Sequence, residues 1–246
     1  MNVQTDSKAS APWLRWAMIA VVVAATLSLL YVAANATQIL QAPILAQPFV
    51  DEKIKYQLIT LGIAALVLLA TYITGSTSFR RFFRWGQIDA PVTPVKAIGI
   101  NPGPKETWLQ LGRNFALIIT GVTAVFIYLQ AIRGNSIAQE NLRFLPWILV
   151  LSLSNAFVEE MITRFAVVSS LYGILPPNAV YLISAAIFGG VHYFGTPGGI
   201  IGVLLAGFLG WFAAKSIGET KGIFWAWLIH FFQDVVIFTG FFFVNL

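Results

Sequence analysis

Long apolar stretches alternate with short polar connections along nearly the whole chain, beginning near residue 12. Most of these stretches approach or exceed about 20 residues, the length that a helix needs to cross the hydrocarbon core of a bilayer. The pattern predicts an all-α fold, a polytopic membrane helical bundle of about seven transmembrane helices. The predicted spans are residues 12–34, 56–77, 108–130, 145–175, 178–194, 200–217 and 222–244.

The composition agrees with this pattern. Of the 246 residues, 58% are hydrophobic and only 10% are charged, whereas soluble domains carry about 25% charged residues. The net charge of +5 lies mostly in one connection, which indicates contact with membrane lipid and no nucleic-acid partner. Because the chain has no cysteine, a disulfide framework, a thiolate metal site and a cysteine nucleophile are excluded.

The longest polar stretch is residues 78–107, which holds five basic residues and four prolines. The prolines predict an irregular or amphipathic surface segment and argue against a folded extra domain. We therefore divide the chain into residues 1–107, which contain an N-terminal tail, two spans and this basic loop, and residues 108–246, the membrane core.

The basic residues also predict the orientation, because lysine and arginine concentrate in cytoplasmic connections. With a cytoplasmic N-terminus, that side receives ten basic residues and the opposite side four. The ten are Lys8, Arg15, Arg80, Arg81, Arg84, Lys96, Lys105, Arg113, Lys215 and Lys221, and the four are Lys53, Lys55, Arg133 and Arg143. A cleaved signal peptide is the alternative for the first stretch, although its apolar run exceeds the roughly 7–15 residues of a signal core.

Three charges interrupt the fourth predicted span, in the sequence EEMITR. Each charge at the centre of a membrane helix costs on the order of 2.5–3.5 kcal/mol, so such residues face a protein interior or a wet cavity. Glu160 and Arg164 are four residues apart, a spacing that predicts an ion pair on one helix face. Glu159 lies on the neighbouring stripe, shared with Asn155, and has no such partner in its own helix.

The only two histidines, His192 and His230, also fall within apolar stretches. Phe188 lies one turn before His192, and Asp234 lies one turn after His230, each on the same helix face. A single intramembrane histidine is usually a helix–helix hydrogen bond. The concentration of histidines, carboxylates and arginine in three spans instead predicts a shared site.

Two chemistries fit these residues, and both lead to amide hydrolysis by activated water. Two imidazoles and a carboxylate can hold a divalent metal such as zinc, with His192 and His230 as ligands. Alternatively, a buried glutamate takes a proton from water while a histidine stabilises the oxyanion, without metal. Asn155 could contact a substrate or form a hydrogen bond between helices. Arg164 is expected to have a structural role, and Asp234 is expected to orient His230.

The motifs EEMITR, FGGVH and HFFQD together resemble the CAAX protease and bacteriocin-processing (CPBP, or Abi) family of intramembrane peptidases. This family is related to the type II CAAX prenyl endopeptidases. The three motifs fit the patterns EExxxR, FxxxH and HxxxN/D in the same order, and the resemblance covers about residues 110–240.

The resemblance implies an endopeptidase of the plasma membrane, expected to be bacterial, whose cavity opens towards the cytoplasm and the bilayer. It implies Glu159 as the water-activating base, completed by His192, His230 and Asp234, with Glu160, Arg164, Asn155 and Phe188 in support. Asp234 replaces an asparagine of the prenyl endopeptidases, and an ionised aspartate cannot donate to an oxyanion. The expected substrate is a hydrophobic or lipidated peptide or protein.

Two other functions remain as alternatives. A non-catalytic immunity or scaffold protein of the same fold could replace these polar residues with leucine at no energetic loss. A proton-coupled transporter is expected to show repeats or paired broken helices, and the sequence shows neither.

Overall fold

The computed structural model of the chain describes residues 11–135, 139–195 and 197–245, and this part of the chain is helical. Its helices are α1 (Pro12–Ile39), α2 (Pro48–Phe82), α3 (Trp108–Ile127), α4 (Leu145–Glu160), α5 (Ala166–Leu171), α6 (Pro177–Val191), α7 (Gly199–Thr220) and α8 (Phe224–Asn245). A π turn, Met161–Phe165, joins α4 to α5 without a break. Within the described residues, the bundle therefore has seven helical rods.

Six of the described helices are long and apolar enough to cross a membrane. The remaining helix, α6, has 15 residues and is extended by a 3-10 turn, His192–Phe194. The predicted membrane helical bundle is confirmed, and the protein is an integral membrane protein. The predicted helix boundaries differ from the observed ones mainly where a helix begins with proline and polar residues, before the apolar run that hydropathy detects.

Helix α2 shows this difference most clearly, because it begins at Pro48 and not near residue 56. Gln47 caps its first turn by accepting a hydrogen bond from the Val50 N–H at 2.6 Å. Asp51 and Lys55 form a buried ion pair at 2.7 Å on one helix face. The prediction that this charged cluster lies in a connecting loop is wrong, since the charges satisfy each other inside the helix.

The helices run back and forth, so their ends collect at two ends of the bundle. At one, which we call the basic end, Arg15 of α1 donates to the Tyr172 carbonyl oxygen at 3.0 Å, and Arg81 of α2 donates to the Tyr172 hydroxyl at 2.7 Å. At the other, the far end, the Phe242 ring of α8 lies 5.0 Å from that of Phe49 and 5.8 Å from that of Phe144. The starts of α2 and α4 therefore meet the end of α8.

The segment between α2 and α3 is irregular, as its prolines predict, and it packs onto the basic end. The Glu219 carboxylate of α7 accepts from the Trp108 indole at 2.8 Å and also binds Lys215. Trp225 of α8 donates to the Ile88 carbonyl oxygen at 2.8 Å. These bonds attach the segment to the helices that carry the polar motifs.

Gly86 marks the closest approach of this segment to the turn between α7 and α8. Its φ of +83° is a conformation that favours glycine, and an added Cβ would overlap the Thr220 carbonyl oxygen and Gly222. No side chain fits at this position without moving one backbone away from the other.

We expect Gly86→Ala to lower stability by about 1–3 kcal/mol, because a strained left-handed residue adds to the steric overlap. Thermal unfolding of the detergent-purified protein measures the effect. Gly103→Ala is the matched control, since no atom lies within 4 Å of its added Cβ. Equal midpoints for the two variants would contradict this account of the contact.

Candidate active site

The charged motif of α4 places one of its two glutamates entirely inside the protein. Glu160 and Arg164 form the ion pair expected from their spacing, at 3.3 Å, and both side chains are 0% exposed. The Glu160 carboxylate also lies 2.8 Å from Nδ1 of His230 on α8. Glu160 therefore joins the two helices and has no access to a substrate.

Glu159 is the more accessible carboxylate, with 18% of its side chain exposed. The amide nitrogen of Asn155 donates to Glu159 at 3.1 Å and to Asp234 at 3.1 Å. Nε2 of His230 lies 3.5 Å from Glu159 and 3.7 Å from Asp234. Asn155 and His230 thus hold the two carboxylates of Glu159 and Asp234 beside each other.

Both ring nitrogens of His230 face carboxylate oxygens, with Nδ1 towards Glu160 and Nε2 towards Glu159 and Asp234. The doubly protonated ring satisfies this arrangement best, because each N–H then has an acceptor. His230 is 4% exposed. It therefore serves as a buried cation among three carboxylates.

The π turn, Met161–Phe165, follows directly after the two glutamates. Such wide turns occur frequently at functional sites. Here the Thr163 carbonyl oxygen accepts from the Ser184 hydroxyl of α6 at 2.7 Å, and the Thr163 hydroxyl accepts from Arg164 at 2.7 Å. The turn thereby links the glutamate helix to α6, which carries the other histidine.

His192 lies in the 3-10 turn that follows α6, whereas the sequence analysis predicted that it lies inside a membrane helix. Its Nδ1 donates to the Phe188 carbonyl oxygen at 2.8 Å. The Phe188 ring lies 4.1 Å from the His192 ring, 5.6 Å from the His230 ring and 3.4 Å from the Arg164 guanidinium. Phe188 therefore stands at the centre of the cluster, in contact with both histidines.

A cavity of about 480 Å³ lies against this cluster. Its wall includes Glu159 and His192 but not His230 or Asp234. The rest of the wall comes from α1, α2, α4–α5 and α6: Thr26, Leu29, Leu30, Ala33, Tyr56, Thr163, Phe188, Val191 and Gly195. Of the predicted catalytic residues, two thus reach the cavity and two lie behind Glu159.

Sequence reasoning missed the contribution of α2. Gln57 is 3% exposed, accepts from the Ser154 hydroxyl at 2.9 Å and donates to Asn155 Oδ1 at 3.3 Å. This bond fixes which way the Asn155 amide faces, so that its nitrogen points at Glu159 and Asp234. The sequence signal for Gln57 is a polar amide side chain inside an apolar span. Its role, however, follows only from its hydrogen bond to Asn155 on α4.

The residues do not fit a metal centre in this arrangement. His230 presents both ring nitrogens to carboxylates, so of the two histidines only His192 keeps a ring nitrogen, Nε2, for another partner. Across residues 11–135, 139–195 and 197–245, no group of three or more histidine, aspartate or glutamate side chains is placed to hold a metal ion.

Comparison with protein families gives one informative result. Residues 141–236 match the family described as type II CAAX prenyl endopeptidase Rce1-like. This part of the membrane core is thus similar to the CAAX protease family. Comparison with curated proteins and with solved structures finds no match.

The family match confirms the resemblance that the three motifs indicate, and it indicates protease activity in general terms. All residues of the three motifs fall inside the matched region. Helices α1 and α2 lie outside it, although they supply part of the cavity wall and the bond from Gln57 to Asn155.

We expect Arg164→Met to destabilise the protein by about 3–5 kcal/mol, because it removes the arginine that pairs with the buried Glu160 carboxylate and leaves that carboxylate with His230 alone. Adding Glu160→Gln should recover part of this loss, since glutamine is neutral and still offers an oxygen to His230. Thermal unfolding of both variants in detergent tests the pair. A double variant less stable than Arg164→Met alone would show that Glu160 does not depend on Arg164.

Proposed function

We propose that the protein is an intramembrane endopeptidase in which Glu159 activates water for hydrolysis of a peptide bond. One observation carries the proposal. The Glu159 carboxylate lies on the wall of the cavity, in the same wall as His192, while Asn155 and His230 hold it from behind.

One water molecule can donate one hydrogen bond to the Glu159 carboxylate and a second to the His192 ring. Because Nδ1 of the neutral His192 ring donates to the Phe188 carbonyl oxygen, Nε2 is left as an acceptor. A water bonded to Glu159 and to this nitrogen directs its oxygen lone pair at a substrate carbonyl. Positioning of this kind lowers the barrier of a hydrolytic step.

The proton balance of the step closes on Glu159. The carboxylate takes one proton from water as the water oxygen bonds to the carbonyl carbon, which forms a tetrahedral intermediate. It then gives that proton to the leaving amine nitrogen as the carbon–nitrogen bond breaks. General acid–base catalysis of this type contributes typically about 10²–10⁴-fold.

His230 and Asp234 support Glu159 without reaching the cavity. The His230 ring lies 3.5 Å from the Glu159 carboxylate and holds it at the edge of the cavity. Asp234 shares the Asn155 amide with Glu159, so it keeps that amide facing the base. This assignment uses Asp234 as an acceptor, which suits an aspartate at the position of the family's asparagine.

The cavity wall indicates the substrate class. Leu29, Leu30, Ala33 and Val191 provide an apolar surface beside Glu159. A peptide with a hydrophobic or lipidated part next to the scissile bond would bury that part on leaving the bilayer. We therefore propose that the substrate is a membrane-associated peptide or protein. Membrane lipid covers the rest of the apolar surface of the bundle.

The direct test is cleavage of a panel of prenylated and unprenylated membrane peptides by detergent-purified protein. We expect Glu159→Gln to lose at least about 10² of the rate, because the amide cannot accept a proton from water. The partly exposed Glu52, which pairs with Lys53, provides the matched control, and Glu52→Gln should cleave normally. Cleavage by Glu159→Gln at the unmodified rate would reject Glu159 as the base.

The same assay with EDTA examines the metal-free chemistry. Since the described side chains do not converge as metal ligands, we expect cleavage to continue in the presence of the chelator. Loss of cleavage that returns on addition of zinc would contradict the mechanism and favour a metal bound in another conformation.

Gln57 gives a test of positioning. We expect Gln57→Glu to lower kcat with little change in KM, because a carboxylate would turn the Asn155 amide and aim its oxygen at Glu159 and Asp234. Gln57→Asn, which keeps both amide functions, should retain more activity than Gln57→Glu. Equal losses of kcat in the two variants, or a change confined to KM, would show that Gln57 does not act through Asn155.

A further inference from the structure

A second pocket, of about 520 Å³, lies at the basic end, between the segment that follows α2 and the turn that joins α7 to α8. Its wall consists of Arg84, Gly86, Gln87, Thr220 and Lys221, and we call it the basic pocket. It shares no wall residue with the active-site cavity. The proposed hydrolysis therefore gives this pocket no role.

Backbone hydrogen bonds hold the two sides of the basic pocket together. The Gln87 N–H donates to the Thr220 carbonyl oxygen at 2.8 Å, and the Ile223 N–H donates to the Arg84 carbonyl oxygen at 2.8 Å. Nε of Arg84 donates to the Lys221 carbonyl oxygen at 3.0 Å. The two terminal nitrogens of this guanidinium keep the fork geometry that matches a phosphate group. The pocket thus presents two cations from a fixed backbone frame.

The cations at this pocket have no carboxylate partner. Arg81, Arg84 and Lys221 form no ion pair with any acidic side chain in the described part of the chain. Glu219 lies two residues before Lys221 in the chain, but its carboxylate pairs with Lys215. Positive charge is therefore gathered at the pocket without being neutralised.

Lys221 occupies an unusual backbone position. Its φ is +57°, and among the described residues it is the only one other than glycine with a positive φ. This conformation costs energy for a residue with a side chain, and glycine is the usual residue where a helix ends in this way. Burial lowers the pKa of the Lys221 ammonium, and the neighbouring Arg81 and Arg84 act in the same direction. A negative charge bound in the pocket would offset these effects.

Exposed aromatic side chains place the basic pocket at the level of the lipid headgroups. Trp85, next to Arg84 in the chain, is 57% exposed, and Trp13 and Trp16 are exposed beside Arg15 at the same end of the bundle. Tryptophan on the surface of a membrane protein concentrates at the interface between membrane and water. The pocket therefore lies where phospholipid phosphates are found.

We propose that the basic pocket binds the phosphate group of an anionic phospholipid. The Arg84 guanidinium contacts two phosphate oxygens through its fork, and the Lys221 ammonium supplies a second positive charge. The acyl chains extend along the exposed surface beside Trp85. A lipid bound in this way links the segment after α2 to the turn between α7 and α8. The proposal does not depend on the peptidase activity.

The test is native mass spectrometry of the detergent-purified full chain, titrated with phosphatidylglycerol. Arg84→Gln combined with Lys221→Gln removes both cations from the pocket. Lys96→Gln combined with Lys105→Gln is the matched control, because it removes the same charge from two exposed lysines of the same segment that do not line the pocket. Phosphatidylcholine, which has no net charge, and inorganic phosphate are titrated separately.

We expect one phosphatidylglycerol to bind more tightly than phosphatidylcholine, and the pocket variant to lose at least about fivefold in affinity, the contribution of one basic residue near a membrane surface. The control variant should bind like the unmodified protein. Equal losses in the two double variants would show that the lipid responds to overall charge, which would overturn the pocket. Inorganic phosphate that binds as tightly as phosphatidylglycerol would assign the pocket to a free anion and overturn the lipid.

A pair of single variants separates lost binding from lost folding. Lys221→Arg and Lys221→Gln change the same side chain at the same strained position, but only arginine keeps the charge. We expect Lys221→Arg to retain the affinity for phosphatidylglycerol and Lys221→Gln to lose it. Equal affinities in these two variants would overturn the role of the Lys221 charge in the site.

Discussion

The fold depends on one requirement, that charges placed inside a membrane bundle be paired. Arg164 and His230 are the cations that Glu160 needs, and they come from its own helix and from α8. Removal of either cation would leave a carboxylate in surroundings where an unpaired charge is strongly destabilising. The pairing therefore fixes α8 against α4 in one register. It also places the adjacent Glu159 at the edge of the cluster, where it can meet a substrate.

A chain of hydrogen bonds extends this arrangement beyond the family motifs. Ser154 donates to Gln57, Gln57 donates to Asn155, and the Asn155 amide nitrogen reaches Glu159 and Asp234. Each bond removes a choice of amide orientation, so the Glu159 carboxylate, which we propose as the base, is held in one place. Preorganisation of this kind raises the rate of a catalysed step. Helix α2 thus takes part in the site although it lies outside the matched region.

One end of the bundle is closed, and the cavity lies deeper among the helices. Aromatic packing, buried bonds from Glu219 and a group of cations close the basic end. The cavity lies between α1, α2, the Glu159 and Thr163 region of the α4–α5 rod, and the end of α6. An enzyme that works inside a membrane needs such asymmetry, because water must reach the base while lipid surrounds the helices.

The sequence by itself determined the helical membrane fold, the resemblance to a peptidase family and the chemical types at the site. These properties follow from local rules: the length of apolar runs, the i,i+4 spacing of Glu160 and Arg164, and the cost of isolated charges in hydrocarbon. Only the tertiary structure decided that His230 lies behind Glu159, that His192 ends α6 beside the cavity, and that Gln57 binds Asn155. These features depend on contacts between helices far apart in the chain, and a helix's own periodicity does not specify which neighbour its polar face meets.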